Sequence, residues 1–488
     1  MRTRPRLGIP VTYPFSVRYL LHTGLIRRLS EVTDPVLLLA WEDADLTRQL
    51  EAEGAEVRSL PRGEVGPEYL RRRQAVELLF QHRLASPTTA IDWRRKDSRF
   101  GPVVRFRRRL ARAIHGVSGR LPGGPDGVLA DEARALLSDT DVAAVHGALR
   151  SLRLDALLSV TPYHGQEELL LRAGAREGLP LLTSIISFDN PTTRSWMSVT
   201  FDRYLVWNAH NRDELVRAYP EIDPALVRIT GAPQMDFYAN PRWCWSEEAW
   251  RVALGLPEDR PVILFGAGPS ALVPHEPDVL AIIDEAIGSG RIPGRPVVVL
   301  RRHPMAPQTT WAPVLSRCGH VISDEPWPVT TGALTTSSPR VADIERMVSA
   351  LAHSDVHVST SSTMTVDGAW FDRPQIGPAF GGERSRVGDR AVRDLYRREH
   401  WLPIARSGGM SISPDPGSLV HDIGRGLSHP EERADGRRRV LEEIVTFTDG
   451  RATERVAAGI ADALGVAAPA AGPPGAPHPG EDAAVEPR

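Results

Sequence analysis

The stretch VHVSTSSTMTVDGAWFDRP, residues 356–374, passes from an apolar run through small hydroxyl residues into a helix-like segment closed by a proline. An apolar run of strand length followed at once by helical periodicity is the repeating unit of parallel sheets with crossover helices. The hydroxyls at the junction are Ser359, Thr360, Ser361, Ser362, Thr363 and Thr365. A helix N-cap needs only one of them. The amides and dipole of a helix start also favour an anion, so a cluster of six reads better as a phosphate contact than as a cap. Asp367, one turn beyond Thr363, either faces the same ligand or steadies the first turn.

The same alternation extends in both directions. Before residue 240, VLLLAW (36–41), DALLSVTP (155–162), LPLLTSI (179–185), RYLVW (203–207) and the start of VRITGAPQMDFY (227–238) read as strands. After it come PVILFGAG (261–268), RPVVVLRRHP (295–304), HVISD (320–324), DVHVST (355–360) and PQIGPAF (374–380). The segments between them have helical periodicity, several ending near a glycine such as Gly54 or Gly178. The fold class is therefore α/β, with two doubly wound, Rossmann-like domains facing a cleft. The expected domains are 1–240 and 241–450, followed by a helix over 451–465 and a disordered Ala/Pro/Gly tail over 466–488.

Composition agrees with two core domains, since 488 residues exceed the size at which one core keeps growing. A net charge of −2 gives no global pull toward nucleic acid. Cys244 and Cys318 lie far apart without metal-ligand spacing, which fits a reducing, cytoplasmic setting. The basic N-terminus lacks the apolar run of a signal peptide, and no run approaches a membrane span. One local departure is WRRKDSRFGPVVRFRRRLARAIHGVSGRL (93–121), with Val103, Phe106, Leu110, Ile114 and Val117 at helical spacing among arginines. A basic amphipathic helix over 102–121 suits an anionic membrane or an anionic acceptor; the alternative is a surface helix with a solvated arginine face.

Two further motifs concern phosphate. In FGAGPSA (265–271), Gly266, Gly268 and Ala271 match the dinucleotide spacing, but Pro269 disturbs the helix start. The next strand ends in Arg301 and Arg302, where an NAD site wants an acid; arginine there leaves an NADP enzyme as an alternative. The preferred reading is a close backbone approach to a ligand in the cleft, with Arg302 and His303 at the neighbouring strand end. A planar guanidinium there suits a diphosphate. EDAD (42–45) resembles a metal-binding pair of acids, yet sits at a helix start where capping explains it.

ILFGAG, VLRRHP, STSSTMTVDGAWFDRP and DGRATERVAAGI, in that order, resemble the nucleotide-binding half of GT-B glycosyltransferases. They also resemble the related UDP-N-acetylglucosamine 2-epimerases and CDP-glycerol glycerophosphotransferases. FDRYLVWNAHNRDELVRAYPEIDPALVRITGAPQMDFY (201–238) is similar to the interdomain segment of those families. The resemblance covers roughly residues 150–465 and implies a GT-B fold with the donor's diphosphate held by Gly266, Gly268, Arg302, His303, Ser361, Ser362, Thr363 and Asp367. It implies no metal and no cofactor beyond a nucleotide-diphosphate sugar as donor substrate. The paired acids that such enzymes often set on the donor sugar are absent, so a polyol phosphate donor stays open.

An inverting transfer needs a base against the acceptor hydroxyl. TPYHGQEE (161–168) offers His164, Glu167 and Glu168, and SFDNPTTR (187–194) offers Asp189, each after a buried strand. Acid enrichment in a first helical turn explains Glu167 and Glu168, which leaves His164 and Asp189 as catalytic candidates. His22 falls inside a helix, where packing accounts for it. The reading is thus a metal-independent transferase moving a sugar or polyol phosphate from a nucleotide donor to a hydroxyl acceptor. The alternatives are a UDP-sugar 2-epimerase and a non-catalytic nucleotide-sugar-binding protein.

Overall fold

The computed structural model describes the chain except residues 1–3, 119–120, 122, 195, 305, 326–337 and 471–488, and leaves the side chains of 118 and 308 aside. The chain divides into two compact units, one holding the sequence up to Pro233 together with the helix from Ala452, the other holding Gln234–Arg451.

The first unit contains a parallel seven-stranded sheet. Its strands are β1 (Arg6–Val11), β2 (Asp34–Leu39), β3 (Glu56–Ser59), β4 (Ala156–Ser159), β5 (Leu181–Ser184), β6 (Arg203–Val206) and β7 (Val227–Ile229). They lie in the order β3-β2-β1-β4-β5-β6-β7. The central strands are apolar on both faces because helices cover both, and each face has its own core. Leu38, Leu157 and Leu170 belong to one of these cores, Leu37, Leu158 and Ile460 to the other.

The second unit repeats the arrangement with β8 (Val262–Gly266), β9 (Val297–Arg301), β10 (Val321–Asp324), β11 (Val356–Val358), β12 (Gln375–Pro378) and β13 (Met410–Ser413). Their order is β10-β9-β8-β11-β12-β13, again all parallel. Pairing of Phe265 with Leu300 and with Val358 brings the ends of β8, β9 and β11 level. Both sheets thus have the Rossmann order, in which the strand sequence reverses once.

Three features differ from the expectation. The units part at Pro233 and Gln234 rather than at 240. The C-terminal helix, Ala452–Ala463, is part of the first unit: Val456, Ala457 and Ile460 complete the core beside Leu205. Gly459 permits that approach, since a Cβ there would stand 2.8 Å from Leu205 Cδ2. Finally, β3 and β13 were not read as strands; both are short edge strands with part of their surface exposed, so no apolar run marks them. Of the tail expected over 466–488, the part from 471 onward lies outside the described residues.

Candidate functional site

In an open α/β sheet, ligands bind beyond the carboxyl ends of the strands where the order reverses. In the second unit that point lies between β8 and β11. The loop after β8 carries Gly266 and Gly268, the loop after β9 carries Arg302 and His303, and the loop after β11 carries Ser359–Thr363. The sheet brings these three predicted segments to one edge.

The glycines serve close packing. A Cβ on Gly266 would stand 2.4 Å from Met364 Sδ, and one on Gly268 would stand 2.7 Å from Val273 Cγ2. The Gly268 amide donates to Glu276 Oε2 at 2.8 Å. Glu276 is fully buried, and burial raises its carboxyl to about 8, with the Gly268 amide and the neighbouring Thr360 opposing only in part. No motif announced Glu276; only the fold brings it beneath the glycine loop. Beside it His275 is buried with neither ring nitrogen partnered among the described residues, and burial lowers it to about 4.

Arg302 is buried and paired with Glu325, while its Nε–H has no partner among the described residues. Burial lowers its pKa. His303 is lowered to about 4 by burial, so its ring is neutral at neutral pH. The adjacent Arg301 has a structural task, pairing with Asp324 and donating to the Asp343 carbonyl at 3.1 Å.

The hydroxyl cluster divides its labour. Ser359 and Thr365 hydrogen-bond one another at 3.2 Å. Ser361 sits at φ +47°, in the left-handed region, and donates to the Leu395 carbonyl at 3.3 Å. Ser362 accepts from the Met364 amide at 3.3 Å, a local turn contact just before the helix. Thr363 is exposed, and the buried Thr360 hydroxyl turns to the Glu276 carboxyl. Asp367 is buried within the short helix Met364–Trp370. Ser361, Ser362 and Thr360 therefore have local partners, and Thr363 is the exposed hydroxyl of the cluster.

In the first unit the order reverses between β1 and β4. Tyr13 follows β1 and His164 follows β4, with ring centroids 6.1 Å apart. His164 Nδ1 is buried without a partner among the described residues, and burial followed by the Arg194 charge lowers its pKa. Burial raises Tyr13, with Asp189 adding to the rise and Arg194 and Arg18 opposing it. Asp189 accepts from Thr193 Oγ1 at 3.0 Å and from Ser187 Oγ at 2.5 Å. The two predicted catalytic candidates thus gather around a tyrosine that the sequence reading passed over.

Glu167 and Glu168 do open a helix, as expected, but both are buried there. Glu167 is fully buried beneath the same loops and accepts from the hydroxyls of Thr12, at 2.8 Å, Ser159 and Thr161. Burial raises it to about 7, against the opposing hydroxyls. Glu168 is held by Tyr69 and Arg73. Asp43 in the acid run 42–45 caps its helix by accepting from the Leu46 amide at 2.9 Å. Among the described residues no group of His, Cys, Asp or Glu is placed to hold a metal ion.

This is a GT-B-like fold, two Rossmann-like domains in one chain, and solved structures of UDP-N-acetylglucosamine 2-epimerases share it. One similar structure, from Listeria monocytogenes, is assigned as a UDP-N-acetylglucosamine 2-epimerase; it has a TM-score of 0.53 at 11% identity, covering 96% of this chain and 98% of its own. The UDP-GlcNAc 2-epimerase from Neisseria meningitidis bound to UDP-GlcNAc has a TM-score of 0.52 at 9% identity, covering 94% of this chain and 100% of its own. The S. aureus MnaA structure with UDP has a TM-score of 0.53 at 9% identity, covering 95% and 98%. No protein-family model and no curated protein sequence matches the chain.

Proposed function

We propose that the protein is a metal-independent transferase that moves a sugar or polyol phosphate from a nucleotide-diphosphate donor to a hydroxyl acceptor. The observation that carries the reading is the buried Arg302, whose Nε–H is without a partner among the described residues, at a strand end beside the reversal of the second sheet and its glycine loop. A diphosphate supplies the acceptor oxygens that such a donor needs. The exposed Thr363 hydroxyl and the neutral His303 ring stand on the same edge. Preorganised donors of this kind stabilise a leaving diphosphate without a metal.

In the first unit, His164 is the acceptor-side base. Its lowered pKa keeps the imidazole neutral and able to take a proton, and Asp189 and Tyr13 position the surrounding loops. Transfer then proceeds by attack of the acceptor oxygen on the transferred group while the hydroxyl proton passes to His164: for a sugar its bond to the diphosphate breaks and a nucleoside diphosphate leaves, and for a polyol phosphate the phosphate–phosphate bridge breaks and a nucleoside monophosphate leaves.

A 2-epimerase is the second reading, supported by the solved structures with UDP-GlcNAc and UDP that share the fold. It calls for several carboxylates on the sugar, whereas Glu167 and Glu168 are committed to internal hydrogen bonds and ion pairs. Product analysis with a panel of nucleotide sugars separates the readings. Transfer predicts release of nucleoside diphosphate, for a sugar, or nucleoside monophosphate, for a polyol phosphate, that depends on an added hydroxyl acceptor. Release with an epimerised sugar and no acceptor overturns it in favour of epimerisation. Binding without turnover across the panel leaves a non-catalytic binding protein.

A further inference from the structure

The helix Pro102–Ser118 is built inside out. Val103, Phe106, Leu110, Ile114 and Val117 form one stripe, and each is between 49% and 67% exposed. Its opposite face, carrying Arg108 and Arg112, turns toward the protein. The side chain of Arg112 is buried against Asp97, to which it donates at 3.1 Å, and Arg108 donates to the same carboxylate at 3.0 Å. The Arg112 guanidinium also lies over the Trp93 ring at 5.0 Å, and the Arg112 carbonyl meets His82 Nε2 at 2.7 Å. Gly116 permits that contact, because a Cβ there would stand 2.9 Å from His82 Cε1.

These contacts fix the orientation. Rotating the stripe inward would strand Asp97, which is 3% exposed and whose carboxyl Arg112 holds below its usual range. An unpaired buried carboxylate is costly. The apolar stripe is therefore presented outward by specific polar contacts, with Arg108 and Arg112 turned inward rather than solvated.

We propose that this helix is an interfacial docking element that lies flat on an anionic lipid bilayer. The stripe runs along a helix about 25 Å long and supplies the apolar surface that enters the acyl boundary. Charge selects the occupant. Residues 93–121 hold ten arginines and lysines against one acid, in a chain whose net charge is −2. Arg107 and Arg109 are exposed beside the stripe, and Arg94, Lys96 and Arg99 are exposed in the segment leading to it. A second copy of the chain would set the same basic segment against itself, whereas anionic headgroups complement it. No helix among the described residues is long and apolar enough to cross a membrane, so the contact is peripheral. The proposal does not depend on the transferase reading.

Co-sedimentation of the full chain with vesicles tests it. Vesicles of phosphatidylcholine and phosphatidylglycerol in about a 3:1 ratio should pellet the protein, and phosphatidylcholine alone should pellet at least about tenfold less. The doubly substituted F106E/L110E, altered only at exposed positions, should lose binding to the anionic vesicles while keeping the wild-type melting temperature. R107E/R109E should bind weakly, and wild-type binding should fall as salt rises. Equal pelleting of wild type and F106E/L110E, or no binding of the wild type to anionic vesicles, overturns the proposal. Self-association that F106E/L110E abolishes, without vesicle binding, assigns the stripe to a second copy and overturns it as well.

Discussion

Glu167 is a carboxyl without exposed surface, and its proton follows from that burial. Its folded pKa, about 7, stands above the unfolded value of about 4.3. Between those values the folded protein keeps a proton that the unfolded chain has released, so stability declines as pH rises through the window and levels off above it. Glu167→Gln should remove that part of the slope and make the variant more stable than wild type at pH 8, by about 4 kcal/mol at most. Urea midpoints measured from pH 4.5 to pH 8 check this; an unchanged slope would refute it. His164 offers a kinetic counterpart. His164→Ala should lower kcat by about 10²–10⁴-fold with donor affinity kept, the usual contribution of a positioned base. The placing of His164 and Asp189 after strands was legible because each follows a strand-like run, whereas Tyr13 and Glu276 lack any motif. Their importance comes from the sheet order, which joins segments far apart in the chain.

Among the elements, the two loops at the reversal of the second sheet depend on each other. Gly266→Ala would press a methyl group against Met364 Sδ, and should cost roughly 1–3 kcal/mol of stability. The double substitution Gly266→Ala/Met364→Ala should cost less than the sum of the two single changes, because the shorter side chain vacates the contested space. Thermal unfolding of the four proteins in the cycle measures the coupling, and strict additivity would show the contact to be inconsequential. Most of the central strands were readable as apolar runs because both faces of a parallel sheet are buried, whereas Arg6–Val11, interrupted by Gly8 and Pro10, was not. Glu56–Ser59 and Met410–Ser413 escaped because edge strands need no such run. The periodicity of Pro102–Ser118 was equally plain, but periodicity identifies an apolar face without saying which way it points. Asp97 decides that, through Arg108 and Arg112.

For the molecule as a whole, two Rossmann-ordered units were legible from the repeated alternation of strand and helix on either side of residue 240. Their membership was not. The final helix returns to the first sheet, and only the packing of Val456, Ala457 and Ile460 beside Leu205 reveals this. Gly459→Leu should lower the melting temperature by displacing that helix, with a loss of about 1–3 kcal/mol. The central claim concerns the second unit, whose strand ends gather Gly268, Arg302 and Thr360 where a doubly wound sheet binds its ligand. Calorimetric titration of the full chain with UDP, GDP, CDP, dTDP and ADP, repeated with Arg302→Ala, tests that claim most directly. At least one nucleoside diphosphate should bind the wild type, and Arg302→Ala should weaken it by roughly tenfold or more, the worth of a charge-assisted hydrogen bond. Failure of all five to bind the wild type, or equal affinity in Arg302→Ala, would contradict it.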